Sequence, residues 1–155
     1  MQGARISYAG QQLALATAAV AIVVNGLTWL NIALSPIAVV CMLVAFPLFA
    51  GGLISYLSKA SRSANDKAFV VRSHAMGQEM WNQILAGVSR RQLIAAGAFV
   101  AYVFLNFFGT FLGSLATHQE LLDPAQQVRM FTGHTAVFSL LAAGLFRATR
   151  RVAQV

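Results

Sequence analysis

His118 and His134 are the side chains in this sequence best suited to hold a cofactor. A neutral imidazole carries one free nitrogen lone pair. Two facing histidines can therefore ligate a b-type haem, and a single one can hydrogen-bond the carbonyl of a quinone. His118 falls at the end of the third long apolar run, and His134 sits about one helical turn inside the fourth. If those runs are adjacent antiparallel helices, both rings lie at similar depth near one membrane face. A transition-metal site would need a third ligand. Glu120 and Asp123 are the nearest carboxylates, but no metal-ligand spacing is present. The plainer reading comes first: His118 is a loop residue, His134 bonds a neighbouring helix, and no cofactor is held. Haem b or quinone is the alternative.

Other reactive groups are sparse. The single cysteine, Cys41, lies in an apolar run and has no partner for a disulfide, a CxxC exchange or zinc, so it reads as a small packing residue. There is no GxSxG, no HExxH, no paired carboxylates near a membrane face, and no phosphate-cradling glycine loop with lysine. The expectation is that the chain is not an enzyme. The central portions of the apolar runs also lack Asp, Glu, Lys and Arg, which argues against a transporter driven by a buried carboxylate.

The elements that must position these residues follow from composition. Of 155 residues, 58% are hydrophobic and only 10% charged, against about a quarter charged in soluble domains. A bilayer span needs about 20 mainly apolar residues. Four stretches qualify, at residues 13–34, 37–57, 93–116 and 130–146. The first is too long for the apolar core of a signal peptide and reads as a span. Ser35-Pro36 marks a helix start after a short uncharged connection, which predicts a tight hairpin of spans one and two. Asp123-Pro124 marks another start, ahead of the fourth apolar core.

The net charge of +7 does not indicate nucleic acid, because the basic residues lie between the spans, where topology and anionic lipid account for them. Arg129 alone sits on one side. The other ten, including Lys59, Arg90, Arg91, Arg147, Arg150 and Arg151, sit on the opposite side. The positive-inside rule then places both termini and the long second loop in the cytoplasm of a bacterial inner membrane. Within that loop, Met76, Met80, Ile84 and Val88 recur at helical spacing. Residues 65–88 thus read as an amphipathic helix on the membrane surface or packed beneath the bundle.

Helical stepping of about 100° per residue divides the spans into faces. In span one, Ala14, Ala18, Ala21, Asn25 and Thr28 form a small-residue stripe. In span three, Asn106, Gly109 and Gly113 share a face, while Phe104, Phe107, Phe108 and Phe111 point away. Small residues at this spacing let membrane helices approach closely. An unpaired amide in hydrocarbon is costly, so the economical expectation is that Asn25 and Asn106 face one interior and bond across helices. In span two, Pro47 with Gly51 and Gly52 is a candidate hinge.

The sequence thus predicts an all-α, single-domain, integral membrane four-helix bundle over residues 1–155, with both termini inside and an amphipathic cytoplasmic helix. Expected partners are the bilayer, anionic lipid at the cytoplasmic face, and other membrane subunits or copies of itself. The first functional expectation is a non-catalytic accessory subunit of a larger inner-membrane complex. The second is a small homo-oligomeric channel or membrane effector, and the third is a haem or quinone protein. No motif is specific to one family.

Overall fold

The computed structural model describes residues 2–63, 69–117 and 123–152. Among these residues there are five α-helices and no strand: α1 (Gln2–Leu27), α2 (Ser35–Ser63), α3 (Phe69–Leu85), α4 (Arg90–Thr117) and α5 (Pro124–Val152). Four of them, α1, α2, α4 and α5, are long and apolar enough to cross a membrane.

Local chemistry sets the helix ends. After α1 the chain tightens into a 3-10 turn, Thr28–Leu30, and Asn31 takes a left-handed conformation with φ 58°. Asparagine tolerates that region better than most residues. The first span therefore closes at Leu30, short of residue 34. Pro47 lies exposed on α2, which continues as one helix from Ser35 to Ser63. α3 is shorter than the 65–88 periodicity. It stops at Leu85, and Gly87 at φ 72° turns the chain. Its expected start at 65–68 lies outside the described residues. Ser89 and Gln92 then cap α4 reciprocally: the Ser89 N–H donates to Gln92 Oε1 at 2.9 Å, and the Gln92 N–H donates to Ser89 Oγ at 3.3 Å.

The packing is organised around α5. Both α1 and α2 lie along it, and each touches α5 far more than it touches the other. The short connection expected between spans one and two is present at residues 31–34, and α1 and α2 touch, but α5 packs along both. The reason is visible in side-chain size. The α1 stripe Ala14, Ala18, Ala21, Asn25, Thr28 is buried, and α5 answers Ala14 with Ala142 and Ala143. Small residues on both sides bring the backbones close and multiply dispersion contacts, the main attraction left to helices in lipid. A methyl group added to Gly10 would sit 2.8 Å from the Phe146 ring.

α3 docks beneath this unit. Ile84 covers Gly144 so closely that a Cβ there would lie 2.7 Å from Ile84 Cγ2. Tyr56, Leu145 and Ala148 complete the cluster, with Met80 against it. α4 is the exception to close packing. Only 6% of its most apolar window is buried, against 50% for α5.

Candidate functional site

The densest polar constellation sits where α1 ends and α5 begins. Asn25 is 4% exposed, so its amide must find partners inside the protein. Its Nδ2 donates to the Arg129 carbonyl at 2.7 Å and to Thr132 Oγ1 at 3.1 Å. Its Oδ1 accepts from the Tyr102 hydroxyl at 2.9 Å, and that hydroxyl accepts from Trp29 Nε1 at 3.1 Å. Arg129 closes the ring. Its Nε donates to Thr28 Oγ1 at 3.0 Å and its Nη2 to the Thr28 carbonyl at 3.1 Å. The guanidinium lies over the Trp29 ring, 3.8 Å from the centroid. Thr28 Oγ1 in turn donates to the Asn25 carbonyl at 2.6 Å. The Thr28 carbonyl accepts twice, from the Asn31 N–H at 3.1 Å, which closes the 3-10 turn, and from Arg129. Both side-chain heteroatoms of Asn25 are used within the chain, and the knot joins α1, α4 and α5.

Asn106 is not part of it. Asn25 and Asn106 do not bond to each other, because Tyr102, one turn earlier on α4, takes the position facing Asn25. Asn106 is half-buried, and its Oδ1 is buried without a partner. The small-residue face of α4 does not form the contact with the bundle. Methyl groups added at Gly109 or Gly113 would meet open space. The seam runs through Val103 instead, whose methyls pack on Gly133 of α5, 3.1 Å from where a Cβ would stand. The notch is on α5 and the knob on α4, the reverse of the expected arrangement. Phe107, expected to face outward, is half-buried and makes a T-shaped contact with His134 at 5.2 Å between ring centroids. Phe104 and Phe108 do face outward, stacked on each other at 6.3 Å.

His134 borders a cavity of about 250 Å³, lined also by Phe46, Phe107, Met130, Thr135 and Phe138. Its Nδ1 lies 2.8 Å from the Met130 carbonyl. A carbonyl only accepts, so Nδ1 donates to it, and the tautomer with its one proton there leaves Nε2 as an acceptor. That polarity suits a metal ion or the hydroxyl of a quinol. A quinone carbonyl would need a donor at that nitrogen. His118, the expected second ligand, lies outside the described residues, as does Glu120. Among the described residues no cluster of three His, Cys, Asp or Glu could hold a metal.

Of the candidate hinge, Gly52 is a packing contact: a Cβ there would lie 3.2 Å from Leu145 Cβ. Gly51 has open space beside it. Ala14 and Ala18 are buried on the α1 stripe, Ala14 in one cluster with Ala142 and Ala143.

No family model, curated protein or solved structure matches the chain. Its own geometry carries the functional reading.

Sequence reasoning missed Tyr102, Trp29, Thr132 and Arg129. The signal was present in Asn25, a buried amide that had to find both a donor and an acceptor. Arg129 also lay at a membrane boundary, the depth where tryptophan concentrates.

Proposed function

We propose that the chain is a non-catalytic accessory subunit of a larger bacterial inner-membrane complex, with α4 as the helix presented to its partner. The observation that carries this reading is the division of the fold. α1, α2 and α5 bury one another, while α4 is held mainly by Tyr102, Val103 and Phe107, and most of its described residues are exposed. Lipid would cover a smooth apolar surface equally well. The surface of α4 is not smooth: one face is notched at Gly109 and Gly113, and Phe104, Leu105, Phe108 and Leu112 project elsewhere. A notch of that spacing is filled best by another helix backbone.

The distribution of basic residues supports both termini and α3 lying in the cytoplasm, since Arg129 is the one cation at the opposite end. A cysteine introduced at Asn31 should then react with a membrane-impermeant reagent in intact cells, and one at Ser89 only after permeabilisation. The reverse pattern would invert the topology.

Purification from the native membrane in mild detergent tests the subunit reading. Co-elution with a different membrane polypeptide is expected, and elution alone or only with itself would overturn it. Asn25 is committed within the chain, which weighs against a pore lined by both asparagines. The His134 cavity supports a second reading, a quinol or haem b held through Nε2. The same preparation tests it: a Soret band, or a quinone in its solvent extract, is required, and the absence of both removes it.

A further inference from the structure

α4 touches α5 from Val103 onward, but its first turns stand clear of the bundle, and residues 91–98 are all exposed. The result is a groove of about 590 Å³ whose lining reaches Arg147 at the arginine-rich end. Its volume falls within the ~300–1,000 Å³ common for ligand sites. Its walls are apolar, formed by Leu15 of α1, Leu93 and Val100 of α4, and Leu140 and Leu141 of α5. At its mouth the character changes to Gln11, Trp81, Gln92 and Arg147.

We propose that this groove binds one anionic phospholipid from the leaflet on the arginine-rich side, with an acyl chain between α4 and α5 and the phosphate at Arg147. Three observations choose this occupant. A groove inside the bilayer is filled by something apolar, and the unbranched shape of an acyl chain fits the space left at Gly97, where an added methyl group would meet nothing. Charge is complementary at the mouth. Arg147 lies there, Arg150 bonds Gln11 from behind, and among the described residues the carboxylates, Glu79 and Asp123, do not line the groove. A guanidinium offers a fork of donors matched to phosphate oxygens. Arg147 also lies against the turn between α3 and α4: a Cβ added at Gly87 would stand 2.7 Å from its Nη2. The capped N-terminus of α4 adds a positive dipole end on the same side. Trp81 at the mouth occupies the headgroup depth that tryptophan prefers. The proposal does not depend on any protein partner.

Native mass spectrometry of the full chain in detergent, titrated with phosphatidylglycerol or phosphatidylcholine of the same acyl chains, tests it. One phosphatidylglycerol is expected to bind about tenfold more tightly than phosphatidylcholine, a ratio one well-placed charged contact can supply. Arg147→Gln should lower phosphatidylglycerol affinity to that of phosphatidylcholine. Gly97→Phe, which fills the groove without touching the arginine, should remove both adducts. Free glycerol phosphate should not compete, since it lacks the chain. Equal binding of the two lipids by the wild-type protein, wild-type binding by Gly97→Phe, or full competition by glycerol phosphate would each overturn the proposal.

Discussion

Asn25→Leu is expected to lower the thermal midpoint of the purified protein by about 4–8 °C, the shift that ~2 kcal/mol produces in a chain of this size. The magnitude comes from what the substitution leaves behind. A direct hydrogen bond between membrane helices contributes only ~0.6 kcal/mol on average. Removing Asn25 does more than delete such bonds. The Tyr102 hydroxyl loses its acceptor, and Thr132 Oγ1 and the Arg129 carbonyl lose a donor, with Thr132 fully buried and Tyr102 and Arg129 half-buried. Each buried group left without a partner costs ~1–3 kcal/mol, and part of that is recovered by relaxation. Tyr102→Phe takes away one arm of the knot and should cost clearly less. Thermal unfolding monitored by circular dichroism in one detergent checks both. An Asn25→Leu protein as stable as the wild type would mean the knot does not hold the end of α1 to α5.

Gly133→Leu is expected to lift α4 from α5 while leaving α1 and α2 in place. The added side chain would begin 3.1 Å from a Val103 methyl and 3.6 Å from Asn25 Nδ2, with no free volume to enter. Overpacking of this kind costs ~1–3 kcal/mol. α4 has few other contacts to resist displacement, whereas α1 and α2 are bound along the length of α5. A thiol at position 106, in a background where Cys41 is alanine, reports the change. Its reaction with a small maleimide should be about tenfold faster with Gly133→Leu, the factor corresponding to ~1.4 kcal/mol of easier opening. Gly133→Ala should fall between the two. An unchanged rate would place the α4 contact somewhere other than Val103 on Gly133.

These two sites also show what could be read in advance and what could not. The membrane character and the four long apolar helices follow from composition and length, because a span is a local property. The α1 stripe from Ala14 to Thr28 was visible for the same reason: helical period and residue size alone select the face that permits close approach. The α4 seam was not visible. Gly109 and Gly113 announce a notch, and so do Gly133 and Gly144, but sequence does not say which notch receives a helix of its own chain. The structure fills Gly133 with Val103 and Gly144 with Ile84, and leaves space at Gly109 and Gly113. In the same way, the cost of burying Asn25 predicted that it has partners without naming them. Naming them required knowing that the end of α1 meets the start of α5, a contact between residues more than a hundred positions apart. The polarity of His134 was equally hidden, since it depends on a single contact from Nδ1 to the Met130 carbonyl.

The central claim is that the open, notched face of α4 is reserved for another membrane protein. Gly109→Leu isolates it, because the new side chain enters empty space in this chain and leaves the fold intact. The decisive measurement compares wild-type and Gly109→Leu proteins, each carrying a photo-crosslinking residue at Leu105, illuminated in native membranes. Wild-type protein should give one discrete adduct with a different polypeptide, and Gly109→Leu should lose it while keeping the wild-type thermal midpoint. Lipid adducts alone, or a polypeptide adduct that persists undiminished in Gly109→Leu, would contradict the account.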